Sequence, residues 1–533
     1  MSTQFDVIVV GGGHNGLVCA NYLAGAGLTV CVLESHERVG GACITEEFHP
    51  GFRNSTASYT VSLLQGRIIA DLDLAAHGLR ILPRPLHNFV PSLTGAGLKL
   101  PGSLDSRLAA IAAHSRRDAE RYAGFAAELE AVTRWVKPLL LEAPVEPLAG
   151  VAEIRRGLGH AWRLRHLTRR QRQAARALLT GSAGHWLERH FECDLLKGGL
   201  GFDAVVGHFA SPYQSGSGYL LLHHALGEVN GETGSWGHAV GGMGSIADAL
   251  AAAAVSRGVA IRVGQPVKRI ARERARFSVW AGGDVYTATR VAASVHPQTL
   301  FLQLLKDEPL PRKFLQRIRA WKSESASFRL NVALAELPDF TCLPGRSAAE
   351  HHGAGILIAP SLAYLEQAYH AASATGWSPE PVIELLIPST LDRSLAPPGT
   401  HVASLFCQHF RPHLPAEGSW ALAKDTAVRA IIAAVTRFAP NFGRSILALQ
   451  AFSPEDLERR FGLIGGDIFH GVMSRDQLYW SRPARRYAQY RSPIPALYLC
   501  GSGSHPGGGV SGAPGYNAAQ AILGDLRATS RSR

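Results

Sequence analysis

The sequence predicts a mixed α/β protein, with one domain assembled from discontinuous segments around a parallel sheet and an α+β domain that combines an antiparallel sheet with helices. Three observations support this prediction. A glycine-rich turn lies between two strand-like runs near the start of the chain, and a glycine-rich loop follows a strand-like run near its end. Between them, residues 300–455 contain alternating strand-like runs such as SFRLNVALAEL and PVIELLIPST.

The glycine-rich turn near the start has the spacing of a dinucleotide-binding motif. It follows a short, mostly apolar run, residues 5–10, and Gly11, Gly13 and Gly16 give G-x-G-x-x-G. These glycines permit a tight turn, close approach of the backbone to a pyrophosphate, and close packing of the next helix on the strand. That helix directs its N-terminal amides at the phosphates, with His14 and Asn15 beside them. The motif predicts a Rossmann-type domain.

Glu34 lies at the tip of the second predicted strand, residues 28–33. A carboxylate there accepts hydrogen bonds from both ribose hydroxyls of an adenosine and repels a 2′-phosphate, which disfavours NADP. A further pair of glycines, Gly40 and Gly41, is followed by Ala42. A plain NAD domain has no need of this pair, whereas an extended FAD requires the chain to pass close beside it.

The glycine-rich loop near the other end of the chain predicts a second binding device for the same ligand. Residues 496–523 contain a strand-like run, a glycine-dense loop and the start of a helix. We expect the first motif to hold the adenosine pyrophosphate and this loop to approach the flavin, with the helix N-terminus aimed at the N1–C2=O edge of the ring. The residues predicted to contact FAD here are Gly501, Ser502, His505, Pro506, Gly508, Gly509 and Val510.

A third segment, residues 234–270, contains a glycine turn, an alanine-rich helix and a strand. Gly241, Gly242 and Met243 in the turn are predicted to bind the cofactor. In flavoproteins with two dinucleotide-binding halves the following strand lies near the adenine, so Val267 is added to the predicted site.

Taken with these motifs, the chain resembles the phytoene desaturase-like, or carotenoid oxidoreductase, branch of the FAD-dependent amine-oxidase superfamily. Within that branch it is similar to the pyridine nucleotide-disulfide oxidoreductase domain-containing protein 2 group. The resemblance implies FAD and a hydrophobic or amphiphilic small-molecule substrate. It rests on VVGGGHNGLVCANYLAGAGLTVCVLESHERVGGACITEE, GGMGSIADAL and LYLCGSGSHPGGGVSGA, and for the group on PGFRNSTASYTVSLL, GSGYLLLHHALGE, EPVIELLIPSTLD and DLERRFGLIGGDIFHGVMSRDQLYWSRP.

The motifs predict how the chain is divided. Residues 1–94, 231–298 and 456–533 are predicted to form the FAD-binding domain. Residues 95–230, which have helical patterns, and residues 299–455 are predicted to form the substrate and helical domain.

The expected chemistry is hydride transfer to flavin N5 by an FAD-dependent dehydrogenase, desaturase or oxidase. A reduced-flavin saturase or isomerase of polyene-like substrates, and a flavin-binding regulatory or scaffold protein without turnover, are the alternatives. An apolar C–C substrate offers little for an acid or base to bind, so a structural role is favoured for each candidate side chain. The candidate catalytic residues are His505, His470 and Tyr479, with Trp480, His223 and His224 as further residues near the flavin or pocket.

The cysteines, the N-terminal residues and the lengths of the apolar runs restrict the class of protein. The seven cysteines form no C-x-x-C pair, which argues against a zinc site, a redox dithiol and a disulfide framework. No metal site is predicted, and Cys43 and Cys500 are interpreted as core thiols, so FAD is expected to be noncovalent. No secretory signal or membrane-length apolar run is evident, which predicts a cytoplasmic protein.

The basic charge, formally +12, is concentrated in part at Arg155–Arg176, which hold eight arginines and no acid. A solvated helical face is favoured, and peripheral contact with an anionic membrane is the better functional alternative. Nucleic acid is disfavoured because no aromatic stacking platform accompanies the arginines. A homo-oligomer is left open.

Overall fold

The computed structural model describes residues 3–146, 150–324, 327–415 and 418–531. The described strands are β1 (Gln4–Val10), β2 (Val30–Leu33), β3 (Thr45–His49), β4 (Phe52–Ser55), β5 (Ile81–Pro83), β6 (Leu86–Val90), β7 (Leu98–Pro101), β8 (Glu228–Val229), β9 (Glu232–Thr233), β10 (Gly237–Ala239), β11 (Ala260–Arg262), β12 (Val267–Glu273), β13 (Arg276–Ala281), β14 (Asp284–Ala293), β15 (Phe328–Leu334), β16 (Gly355–Ile358), β17 (Ile383–Leu386), β18 (His401–Cys407), β19 (Ile446–Phe452) and β20 (Leu497–Leu499). The α-helices are α1 (His14–Gly25), α2 (Gly66–Asp71), α3 (Leu104–Ala112), α4 (Arg116–Val136), α5 (Val151–Arg163), α6 (Arg169–Thr180), α7 (Ala183–His190), α8 (Asp194–Phe202), α9 (Ser217–Ala225), α10 (Gly244–Ser256), α11 (Arg312–Arg319), α12 (Leu362–Thr375), α13 (Trp420–Phe438), α14 (Pro454–Phe461) and α15 (Ala513–Arg531).

The first sheet brings together strands from three distant parts of the chain. Its order is β11-β2-β1-β14-β13-β12, and β20 pairs with β14. The pairs β1–β2, β1–β14, β11–β2 and β14–β20 are parallel, with Val291 opposite Leu497. Distant ends of the chain therefore meet in one sheet, which confirms the predicted α/β class.

The residues of β1 explain why this strand is central. Val7, Ile8 and Val9 are fully buried, and β-branched side chains of this kind suit a strand covered on both faces. Helix α1 follows at once and packs against α10 and α15. Gly13 at its N-terminus supplies no side-chain cap, so the first amides of α1 remain available to a ligand.

The second sheet has the order β19-β15-β18-β17-β16-β6-β7 and is antiparallel except where β16 pairs with β6. Helices α3, α4 and α6–α9 contribute to a core on one face of it, and α13 packs on the other. The predicted boundary at residue 94 falls within the hairpin that joins β6 to β7, so β6 belongs to this second sheet. The domain division itself stays a prediction.

No helix in the described ranges has both the length and the apolarity needed to cross a membrane.

Candidate active site

A cleft of about 390 Å³ lies where the glycine-rich turn, the tip of β2 and the glycine-dense loop at residues 501–512 converge. We call residues 501–512 the C-terminal loop. Val10 and Leu33 at the ends of two parallel strands form part of its wall, and Phe406 of β18 contributes from the second sheet. Ligands of open α/β sheets bind at the carboxyl ends of the strands, so this is the expected place for a dinucleotide.

Most of the predicted site residues are brought together here. Those that line the cleft are Gly11, Gly13, His14, Asn15, Glu34, Gly40, Gly41, Ala42, Val267, His470, Ser502, Gly509 and Val510. Those that the structure places outside its described wall are Gly16, Gly241, Gly242, Met243, Tyr479, Gly501, His505, Pro506 and Gly508.

Several of the glycines outside the wall are needed for packing. A Cβ on Gly16 would lie 2.1 Å from the carbonyl oxygen of Gly11, which is the close helix-to-strand contact expected of the third glycine of the motif. A Cβ on Gly501 would lie 2.4 Å from the carbonyl oxygen of Ser294. These two positions fix the backbone from which the lining residues project.

The turn before α10 joins this helix to neighbouring elements. Gly241 donates its backbone N–H to Asp392 Oδ2 at 2.7 Å, and Met243 donates to Ser55 Oγ at 2.9 Å. A Cβ on Gly242 would lie 2.4 Å from Thr45 Oγ1. The structure therefore explains this glycine-rich turn by contacts within the protein.

Glu34 is buried and already organises the glycine-rich turn. Its Oε2 accepts the backbone N–H of Gly12 at 2.7 Å, and its Oε1 accepts from the backbone N–H of His36 at 2.9 Å and from Ser35 Oγ at 3.0 Å. A carboxylate has about four acceptor sites, and these hydrogen bonds use three of them, so Oε2 retains capacity for a ligand hydroxyl.

The wall of the cleft contains buried polar atoms that lack a partner. They are His14 Nε2, Asn15 Oδ1, Gln265 Oε1 and His470 Nδ1. Buried polar groups in native proteins are normally hydrogen-bonded, so these atoms indicate a polar ligand. Asn15 Nδ2 also donates to Ser502 Oγ at 3.1 Å, which joins the N-terminal motif directly to the C-terminal loop.

The comparison with known proteins agrees with this arrangement. A family model described as flavin containing amine oxidoreductase matches residues 16–327, more than half of the chain. The chain belongs to the flavin-containing amine oxidoreductase family. Its cofactor is therefore a flavin, in agreement with the FAD predicted from the two glycine motifs.

Relatives of this flavoprotein cover nearly its whole length. Pyridine nucleotide-disulfide oxidoreductase domain-containing protein 2 of Mus musculus is 39% identical over 550 residues, 99% of this chain and 94% of the relative. Phytoene desaturase (lycopene-forming) of Pseudescherichia vulneris is 25% identical over 95% of this chain and 96% of the relative. The solved structure of cyclohexylamine oxidase from Brevibacterium oxydans, 16% identical, has a TM-score of 0.59 over 98% of this chain and 99% of that one, which shows a shared fold.

Two candidate catalytic residues of the flavoprotein point elsewhere. The ring of His505 makes a 2.9 Å hydrogen bond through Nε2 with the carbonyl oxygen of Leu139, and its own carbonyl accepts from the Tyr490 hydroxyl. Tyr479 accepts the backbone N–H of Val145 at 3.2 Å and packs edge-on against His505. Neither side chain lines the cleft, and both make contacts with other parts of the protein.

His470 is the candidate that reaches the cleft. Burial, together with the nearby charge of Arg482, lowers the pKa of His470 to about 4, so its imidazole is neutral at pH 7. Its backbone adopts φ 56°, a left-handed conformation that costs energy for a residue with a side chain. His224 also lines the cleft, and burial lowers its pKa to about 4. His223 is buried nearby, and Trp480 is 45% exposed.

Sequence reasoning missed Arg482, which is fully buried beneath the C-terminal loop. Its guanidinium donates to the carbonyl oxygens of five residues, and burial lowers the pKa of Arg482 to about 10. Because carbonyl groups are supplied by every residue type, no spacing rule marks this arginine. It ties two wall-forming segments together through Phe469, Gly471, Gln477, Ser502 and Ser504.

A second missed group lies behind the opposite wall. Tyr59 and Thr60 line the cleft, and the Tyr59 hydroxyl donates to Glu384 Oε2 at 2.5 Å. Arg84 donates hydrogen bonds to Glu384 Oε1 at 3.1 Å and to Thr60 Oγ1 at 2.7 Å. Glu384 lies 325 positions from Tyr59 and 300 positions from Arg84 in the sequence, so only the fold brings them together.

Proposed function

We propose that the chain is an FAD-dependent dehydrogenase, desaturase or oxidase that removes a hydride equivalent from a hydrophobic or amphiphilic small molecule. The bound FAD supplies two-electron chemistry at its N5. The relationship to a phytoene desaturase supports a phytoene dehydrogenase-like activity.

The residues at one end of the cleft fit an adenosine pyrophosphate. We propose that Glu34 holds the ribose and that the backbone of the Gly11–Asn15 turn, with its uncapped helix start, holds the phosphates. Gly40 and Gly41 run beside this turn, with the Gly40 N–H donating to the Gly12 carbonyl at 2.9 Å.

We propose that the part of the cleft lined by Gly509 and Val510 holds the flavin ring. We propose noncovalent attachment because Cys43 and Cys500 are buried outside the described wall of the cleft. Burial raises the pKa of the Cys43 thiol to about 12, which leaves it protonated and unreactive.

The observation that carries the substrate proposal is the charge distribution of the wall. Among the described residues that line the cleft, Glu34 is the only Asp, Glu, Lys or Arg, and it lies at the adenosine end. The residues around the other end are mainly apolar or aromatic, and the histidines there are neutral at pH 7 because burial lowers their pKa values. Such a surface favours an uncharged C–H donor over a charged one. These residues include Leu63, Val206, Trp236, Phe406, Ile468 and Phe469.

Anaerobic mixing of the yellow holoprotein with candidate substrates tests this proposal. Bleaching of the flavin absorbance by apolar alkenes or polyenes, and not by primary amines such as cyclohexylamine, is the expected result. Bleaching by amines alone contradicts the substrate class. A protein that holds FAD and is bleached by no member of either class, but oxidises in the presence of a polyene after chemical reduction, acts as a saturase instead.

Acid precipitation tests the mode of attachment. The chromophore should appear in the supernatant as intact FAD. Colour retained in the pellet would contradict noncovalent binding.

A further inference from the structure

The arginine-rich segment forms two helices with different environments. Helix α5 precedes a short 3₁₀ turn, and α6 follows it. Ala174, Ala175 and Leu178 of α6 are buried in the helical core. Helix α5 instead carries its large apolar side chains on the outside.

Four large apolar side chains of α5 are exposed. The exposed fractions are 72% for Val151, 48% for Ile154, 63% for Leu158 and 56% for Trp162. At about 100° per residue, these positions fall within one narrow stripe along the helix. Thirteen large apolar side chains are strongly exposed in the described part of the chain, and nearly a third of them lie on this single helix.

The opposite face of α5 is bound to the rest of the molecule. Arg156 donates to the Pro144 carbonyl at 2.8 Å and to Glu153 Oε2 at 2.8 Å. His160 lies 3.1 Å from Glu142, and its carbonyl accepts from Trp135 Nε1 at 3.4 Å. These contacts fix the orientation of the helix, so its apolar stripe faces outward in the folded protein.

Positive charge adjoins the apolar stripe. At about 100° per residue Arg155 lies about 20° beyond its edge, and the Arg165 guanidinium lies 3.4 Å from the centroid of the Trp162 ring. None of the exposed arginines here has a carboxylate within 4 Å among the residues that the structure describes, so their charge is uncompensated. These are Arg155, Arg165, Arg169, Arg170, Arg172 and Arg176.

We propose that α5 docks the protein on an anionic lipid surface, with Val151, Ile154, Leu158 and Trp162 inserted at the headgroup boundary. An apolar stripe with Trp at one end, flanked by unpaired arginines, has the composition of an interfacial helix. The phosphate backbone of a nucleic acid would satisfy the arginines but leave the stripe in water. A lipid surface provides phosphates for the arginines and an apolar region for the stripe. This docking does not depend on which substrate the cleft accepts.

Flotation of the holoprotein with vesicles tests the proposal. Vesicles of phosphatidylcholine are compared with vesicles that also contain phosphatidylglycerol. We expect recovery with the anionic vesicles, reduced when salt is raised from about 0.1 M to about 1 M because the attraction is screened.

The double variant Leu158→Ser, Trp162→Ser should lower the partition coefficient at least about tenfold, since two inserted apolar side chains are lost. Arg155→Glu with Arg165→Glu should lower it by a similar factor. Leu422→Ser, a change at an 86% exposed apolar residue of α13, is the matched control and should have no effect. Unchanged FAD absorbance and melting temperature show that each variant is folded.

Three results would overturn the proposal. One is equal recovery with neutral and anionic vesicles, and another is unaltered flotation of both double variants. The third is a wild-type dimer that Leu158→Ser, Trp162→Ser converts to a monomer, since a second copy of the chain would then cover this face.

Discussion

Glu34 has two tasks at the residue scale. It holds the Gly12 amide in the protein, and it faces the position proposed for the ribose. The sequence predicts the second task from the position of an acid at a strand tip. The first depends on the fold of the turn, which no spacing rule describes.

Glu34→Ala should weaken FAD binding at least about tenfold, because hydrogen bonds to a charged acceptor contribute roughly 1.5–3 kcal/mol each. Fluorescence titration of the apoprotein with FAD measures this change. Glu37→Ala, an exposed carboxylate three residues further on, is the matched control and should leave the dissociation constant unaltered. An equal dissociation constant for Glu34→Ala and wild type would place the ribose elsewhere.

His505→Ala should leave the rate of flavin reduction little changed, because the ring bonds the Leu139 carbonyl behind the loop. The variant should lose about 1 kcal/mol of unfolding free energy with that hydrogen bond. Stopped-flow reduction and urea unfolding measure the two effects. A reductive step slowed about a hundredfold with FAD still bound would make His505 an acid or base after all.

At the element scale, the C-terminal loop is held between α15 and the segment that contains Phe469. A Cβ on Gly508 would lie 2.7 Å from Phe469 Cα and 2.8 Å from the Ile468 carbonyl oxygen. From the sequence, a side chain at Gly508 is expected to push the loop backbone away from the cofactor. In the structure, such a side chain would clash with the backbone of the neighbouring segment, Ile468 and Phe469.

Gly508→Val should therefore move the loop, lower FAD content and cost about 1–3 kcal/mol of stability from overpacking. If FAD is retained, its reduction potential should fall, because the start of α15 then stabilises reduced flavin less. Gly524→Val in α15, where a Cβ meets nothing within 4 Å, is the control for substituting glycine. Full FAD content with an unaltered potential would separate this loop from the flavin.

Some of these elements could be predicted from the sequence and others could not. The turn at Gly11–Gly16 could be predicted because its function depends on local spacing and on conformations that glycine permits. Arg482 and the Tyr59–Glu384 pair could not, because their partners come from other segments and from backbone carbonyls. Local patterns identify the residues proposed to bind the phosphates, whereas the residues that support them from behind depend on the tertiary fold.

At the scale of the whole molecule, buried histidines make stability depend on pH. Burial lowers the pKa values of these histidines to about 3 or about 4, whereas they titrate near 6.5 when unfolded. The unfolded chain therefore takes up protons below about pH 6.5 while the folded protein does not. The residues are His14, His87, His208, His223, His224, His409, His470 and His505.

Stability should be full above about pH 6.5 and fall as the pH approaches 4, with each such histidine contributing about 2 kcal/mol of loss by pH 5. Asp203 and Asp467 oppose this trend, because burial raises their pKa values to about 7 and about 6. The histidines outnumber them, so urea unfolding should show a net loss of at least about 2 kcal/mol between pH 7 and pH 5. His224→Gln should flatten the dependence, and a flat wild-type profile would contradict the assignment.

The pairing of β20 with β14 has a consequence for synthesis on the ribosome. Strands β1 and β2 emerge early, but β14 follows more than 250 residues after β1, and Ser502, Gly509 and Val510 follow only after residue 500. A nascent chain thus exposes the first glycine turn long before the wall that faces it exists. The complete cleft can therefore form only in the last stage of translation, and until β14 has been made β1 has β2 but not β14 to pair with.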